Sequence, residues 1–194
     1  MTNRAIFLDK DGTLLKDVPY NVDPRLMRLS PRDGDALRLL APHYRLIVVS
    51  NQSGVARGYF AESALKGVES RLKHLLAEHG ATLTAFYYCP HHPRGQVAAY
   101  RRRCQCRKPQ PGMLLQAAAE HGIDLGRSWM VGDTLDDVEA GRRAGCRTIL
   151  IENGGLIDGG AETDARPSDN RRPHATVPTT CLRPPSLSWQ TPSP

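Results

Sequence analysis

Short apolar runs alternate with stretches of helical periodicity along most of the chain. The runs fall at residues 5–8, 46–50, 83–89, 129–132 and 147–151. Each is short and ends at polar or glycine-containing positions, the pattern of buried strands. Helical patterns lie between them at 32–40, 62–78, 112–122 and 135–144. In the second of these, Leu65, Val68, Leu72, Leu75 and Leu76 share one face. The third starts after Pro111 with Gly122 near its end, and the last is closed by Gly145. Strand and helix alternating at this spacing predict βαβ units, an α/β fold and a parallel sheet. Ligands in such sheets bind beyond the carboxyl ends of the strands, and the polar motifs fall at those ends. From about Ile157 the pattern fails. Residues 166–194 are rich in proline, with one short strand expected near His174–Val177. The chain therefore divides into a folded domain over 1–156 and a tail over 157–194 that is expected to be disordered or divergent.

Composition narrows the function without choosing it. The 194 residues suffice for one domain with a real core, and 40% apolar with 24% charged residues is ordinary for a globular protein. The formal charge of +6 suits any anionic partner, from a small phosphate to a nucleic acid. The basic residues are scattered except at Arg101-Arg102-Arg103 and Arg107-Lys108, and no basic stripe with interleaved aromatics occurs. Nucleic acid is therefore not the expected partner. There is no signal-like or membrane-length apolar run, so a cytoplasmic protein without a membrane partner, and a monomer, is expected. Five cysteines without an export signal favour metal binding over disulfides.

Four motifs carry chemistry. Asp9-Lys10-Asp11-Gly12-Thr13 follows the first apolar run. Two carboxylates two residues apart at a strand mouth repel each other, burial adds to the cost, and a divalent cation relieves both. The pair suits a carboxylate nucleophile with an acid/base partner and a hard metal. Ser50-Asn51-Gln52-Ser53-Gly54 closes the second run with a hydroxyl and exposed amides that can hold phosphate oxygens. Arg107-Lys108-Pro109 supplies fixed cations ahead of a helix. Gly132-Asp133-Thr134-Leu135-Asp136-Asp137 closes the fourth run. There Asp133 can bind a metal, Asp137 can orient its neighbours one turn later, and Asp136 is expected to do no more than cap the helix. Each motif alone has a bland alternative as a strand end or a solvated turn. Together, each after an expected strand, they are far more specific.

A second cluster is built from Cys89-Pro90-His91 and Cys104-Gln105-Cys106. Three thiols and an imidazole at C-x-H and C-x-C spacing match a closed tetrahedral zinc site, and free buried cysteines or a disulfide are the alternatives. A clamp of this kind would order the intervening loop, residues 89–106, and fix Arg107 and Lys108. His92 is off the spacing. Cys146 and Cys181 are isolated.

The four motifs in this order resemble those of the haloacid-dehalogenase-like (HAD) phosphatases over residues 4–153. The resemblance implies a Rossmann-like α/β fold and Mg²⁺. It makes Asp9 the nucleophile that forms an aspartyl-phosphate, Asp11 the acid and then base, and Ser50 and Lys108 the holders of the phosphoryl oxygens. Asp9, Asp133 and the backbone carbonyl of Asp11 would bind Mg²⁺. No insertion is long enough for a large cap domain. Within the family, the zinc loop resembles that of the D-glycero-D-manno-heptose-1,7-bisphosphate 7-phosphatases, with the histidinol-phosphatases as the alternative subgroup. This implies a small sugar bisphosphate as partner, and substrate contacts from Asp17, Tyr20, Ser50, Asn51, Gln52, Ser53, Arg107, Lys108 and Thr134. Two departures stand out. Thr134 replaces a lysine often found there, and the tail lacks the family's closing strand and helix. A zinc-stabilised nucleic-acid-binding module is the non-enzymatic reading, although the intact carboxylate pair would repel a polyanion.

Overall fold

The computed structural model describes residues 3–29, 31–152 and 176–178. Five strands lie where the apolar runs place them: β1 Ala5–Leu8, β2 Arg45–Asn51, β3 Leu83–Cys89, β4 Trp129–Gly132 and β5 Arg147–Glu152. A sixth, β6 Thr176–Pro178, pairs in parallel with β5 and falls on the short strand expected near the end of the chain. The rest of the expected tail, 157–175 and 179–194, lies outside the described residues. All strand pairs are parallel and the sheet order is β3-β2-β1-β4-β5-β6. The chain winds outward from β1 in one direction and then, from β4, in the other. The reversal leaves a crevice beyond the carboxyl ends of β1 and β4, the standard ligand position in an open α/β sheet.

The runs are apolar throughout because helices cover both faces of the sheet. Successive residues of β1 point to opposite sides. Ile6 and Leu8 join Leu46, Val48 and one face of the helix α3 Leu65–Glu78, through Leu65, Val68, Leu72, Leu75 and Leu76. Leu37 of the helix α1 Pro31–Leu40 joins the same core. Ala5 and Phe7 join Ile47, Val49 and two helices on the other side: α4 Gly112–His121, through Met113, Leu114 and Ala117, and α5 Leu135–Ala144, through Ala140 and Ala144. Helix α5 lies very close to the sheet. A Cβ on Gly141 would sit 2.6 Å from Met130 Cβ and 2.7 Å from Thr148 Cγ2.

Two expectations need correction. The helix over 62–78 is broken: 62–64 form a 3₁₀ turn, Glu62–Ala64, and the α-helix begins at Leu65. Capping of α5 does not fall to Asp136, which is exposed; the backbone N–H and the hydroxyl of Thr134 both donate to Asp137 Oδ2, at 3.1 and 2.6 Å. The carboxylate one residue later has the reach for a capping box, because it stands three residues after the cap.

Candidate active site

Asp9 follows directly on β1, and its N–H donates to Val131 O at 2.9 Å, which fixes it at the β1–β4 crevice. Its side chain is buried and accepts from Lys108 Nζ at 2.5 Å. The same ammonium lies 2.6 Å from Asp137 Oδ1 and donates to Val49 O at 2.9 Å. A fully buried lysine needs such a set of acceptors, and here the ends of two strands, β1 and β2, and one helix supply them. Burial alone would lower the Lys108 pKa, but Asp137 and Asp9 outweigh it and hold the group above the usual lysine range. Lys108 is placed from behind by Asn51, whose side-chain oxygen accepts from Lys108 N at 3.0 Å and whose amide donates to Lys108 O at 3.2 Å. Both ends of Asn51 are thus engaged with the lysine backbone.

The turn after Asp9 passes directly against Asp133. Gly12 has φ +77°, and a Cβ there would stand 2.1 Å from Asp133 Oδ2, so the turn closes only with glycine. Thr13 Oγ1 donates to Asp133 Oδ1 at 3.4 Å. Asp11 points the other way. Its Oδ1 is ion-paired with Lys10 Nζ, and its Oδ2 accepts from Gln52 Nε2 at 3.4 Å. Gln52 Nε2 also donates to Ser50 Oγ at 2.8 Å, which links the first two motifs. Lys10 is almost fully buried, and sequence reasoning passed over it; the lysine between two acids was the available signal.

Asp9, Asp133 and Asp137 have carboxylate oxygens within 4.8 Å of one another. Lys108 answers only part of that charge. Burial, with Asp137 and Asp11 adding to it against the pull of Lys108, pushes Asp9 up to about 7. Burial and then Asp137 push Asp133 up to about 6. A buried, incompletely compensated group of hard oxygen donors fits a divalent cation such as Mg²⁺. Asp9 and Asp133 are the natural ligands, because Asp137 is committed to Lys108 and Thr134.

The remaining expected substrate contacts stand on the connections that follow β1, β2, β3 and β4. Ser53 stands immediately before the short helix α2 Gly54–Arg57. Asp17 lies near Asp11 and Lys10, and burial together with Asp11 pushes it up. Thr134 is exposed, its hydroxyl turned onto Asp137. Arg107 is half-buried, and its Nη1 has no hydrogen-bond partner among the described residues. Tyr20 is exposed and has φ +55°, the only non-glycine residue with positive φ among those described. For a bulky residue this conformation costs about 1–2 kcal/mol.

The cysteine cluster assembles as spaced. The sulfurs of Cys89, Cys104 and Cys106 lie 3.1–3.4 Å apart. His91 Nδ1 is 3.7 Å from Cys89 Sγ and 3.4 Å from Cys106 Sγ. The four donor atoms lie within 4.8 Å of one another, the size of a tetrahedral shell. Arg102 Nη2 lies 2.6 Å from His91 Nε2, a contact that the sequence did not suggest. Burial and then Arg102 hold His91 below its usual range. His92 stays out of the cluster; its Nδ1 accepts from Arg94 N at 3.1 Å. The cluster is tied to the next motif, since Gly112 N donates to Gln105 O at 2.9 Å and Gln110 N to Arg107 O at 2.8 Å.

The fold and this edge define a class, the HAD-like hydrolases, and that family's model matches residues 105–180. The D-glycero-beta-D-manno-heptose-1,7-bisphosphate 7-phosphatase of Salmonella typhi is 40% identical over 163 residues, covering 83% of this chain and 87% of that protein. The protein of the same name from Pasteurella multocida is 44% identical over 153 residues, 78% of this chain and 83% of its own. The crystal structure of D,D-heptose 1,7-bisphosphate phosphatase from B. bronchiseptica, complexed with magnesium and phosphate, superposes with a TM-score of 0.66 at 33% identity. It covers 76% of this chain and 80% of that one. The chain belongs to the HAD-like family, in the branch of the heptose-bisphosphate 7-phosphatases.

Proposed function

We propose that this chain is a Mg²⁺-dependent phosphatase that removes the 7-phosphate of D-glycero-D-manno-heptose 1,7-bisphosphate and leaves the 1-phosphate. The observation that carries the reading is Asp9, buried at the β1–β4 crevice with Lys108 on one oxygen and Asp133 alongside. A carboxylate nucleophile needs an open oxygen aimed out of the sheet edge and cations for the phosphoryl oxygens. Asp9 and its surroundings supply the first, and Lys108 supplies part of the second.

Asp9 Oδ2 attacks phosphorus, the P–O bond to the sugar breaks, and the leaving oxygen takes a proton from Asp11. Asp11 then accepts a proton from a water that attacks the aspartyl-phosphate, which returns Asp9 as a carboxylate and releases inorganic phosphate. Ser50 and Lys108 hold the phosphoryl oxygens through both steps. Mg²⁺, held by Asp9, Asp133 and the backbone carbonyl of Asp11, supplies the remaining charge neutralisation. Gln52 keeps Ser50 and Asp11 in register. Arg107, with an unpartnered nitrogen, is suited to an anionic substrate group. Cys89, His91, Cys104 and Cys106 hold a structural zinc that fixes the Arg107–Lys108 segment.

The product, a sugar 1-phosphate, is the kind of compound that nucleotidyl transfer consumes, which fits a role in making nucleotide-activated heptose. Phosphate release with Mg²⁺ across the heptose bisphosphate, histidinol phosphate and a nucleic-acid 3′-phosphate tests the reading. The heptose substrate is expected to give the highest kcat/KM, and faster turnover of either other substrate would replace it.

A further inference from the structure

Two exposed aromatic side chains meet on the connections that follow β1 and β2. Among the described residues the exposed large hydrophobics are Tyr20, Leu26, Leu39, Tyr59, Leu115 and Leu135. Three of these six, Tyr20, Leu26 and Tyr59, stand on the connections that leave the carboxyl ends of β1 and β2, and Leu135 opens the helix that follows β4. Two of them meet: the Tyr20 and Tyr59 rings lie 4.6 Å apart between centroids, edge to face at 77°.

Each ring is held from below. Asn21 N donates to Val18 O at 3.1 Å, and Asp23 N donates to Asn21 Oδ1 at 2.8 Å, which closes the turn carrying Tyr20. Tyr59 N donates to Gly54 O at 2.9 Å, so Tyr59 is pinned to the start of α2, two residues beyond Gln52. The two rings therefore ride on the segments that follow Asp11 and Ser50. Tyr20 is 47% exposed and Tyr59 57%, so the pair does not serve the core. Neither phenol oxygen has a hydrogen-bond partner among the described residues. A strained backbone that presents a half-exposed ring, with no burial to offset it, points to a ligand contact.

We propose that Tyr59, with Tyr20, forms a two-ring clamp that lies against the C–H face of a sugar ring whose phosphate is on Asp9, and so selects a ring-shaped phosphosugar over a short-chain phosphomonoester. The clamp rests on the function proposed above and adds Tyr59 to it as the specificity-determining residue. Aromatic rings suit this task because a pyranose shows an apolar face between its hydroxyls, and the free phenol groups can bond to those hydroxyls.

The test is the ratio of kcat/KM for heptose 1,7-bisphosphate to kcat/KM for glycerol phosphate. It is measured with Mg²⁺ on wild type, Tyr59→Ala, Tyr59→Phe and Tyr20→Gly. Glycine suits the backbone at position 20, so that variant removes the ring without straining the turn. The ratio should fall about three- to ten-fold in Tyr59→Ala and in Tyr20→Gly, mainly through KM for the sugar, and by less than half that in Tyr59→Phe. An unchanged ratio in Tyr59→Ala overturns the clamp, whatever else binds the patch. Wild-type turnover of the heptose bisphosphate is read first. Its absence overturns the substrate reading and the clamp together, whereas its presence with an unmoved ratio overturns the clamp alone.

Discussion

Asp9 and Lys108 face each other in a setting where neither is comfortable alone. Burial raises the cost of the Asp9 charge, and Lys108 offsets part of it. Asp9→Asn should abolish phosphate release while leaving the chain folded, because the amide oxygen can still accept from Lys108. Retained turnover would remove Asp9 from the nucleophile role. Asp137 acts differently. It touches Lys108 and holds Thr134, and its removal leaves a buried ammonium with a single carboxylate. Asp137→Ala should cost about 3–5 kcal/mol in urea denaturation, with kcat falling as well. Lys10, Arg102 and Tyr59 show what residue types in a row do not reveal. Lysine, arginine and tyrosine are ordinary on a surface, and only the fold buries the first and aims the other two.

At the level of elements, the strands and helices were legible because burial on both faces demands continuous apolar runs, and helices facing a sheet demand a one-sided stripe. The break at 62–64 was less legible, since the same residues fit a helical pattern whether the first turn is 3₁₀ or α. The Cys/His loop was legible as a donor set by its spacing alone. Its four donors come from β3 and from the connection to α4, so its removal should act locally. Cys104→Ser is expected to lower the zinc content from about one per chain, read by atomic emission, and to expose residues 89–106 to limited proteolysis. A metal content unchanged by the substitution would take Cys104 out of the ligand set. Packing of α5 on the sheet is equally specific. Gly141→Ala places a methyl against Met130 and Thr148 and should cost about 1–3 kcal/mol in thermal or urea unfolding.

For the whole molecule the acidic edge makes stability depend on pH and on metal together. Asp9 is raised from 3.8 to about 7 and Asp133 to about 6, so between pH 4 and 7 the folded chain keeps protons that the unfolded chain has released. Metal-free stability should therefore fall as pH rises through that window. Mg²⁺ requires the ionised carboxylates, so its stabilising shift in melting temperature should be larger at pH 8 than at pH 5.5. Equal shifts at both pH values would mean that the metal does not bind to these two acids. Among the described residues no helix is long and apolar enough to cross a membrane.

Periodicity, donor spacing and the order of four polar motifs were enough to determine a parallel α/β sheet, the polar edge where the motifs gather and a set of Cys/His donors, because these depend on residue type at short range. The tertiary structure alone decided which acids pair with Lys108, that Asn51 spends its side chain on the Lys108 backbone, and that two tyrosines from separate connections meet. Those pairings join residues far apart in the chain, and only the winding of the sheet around β1 brings them within contact distance.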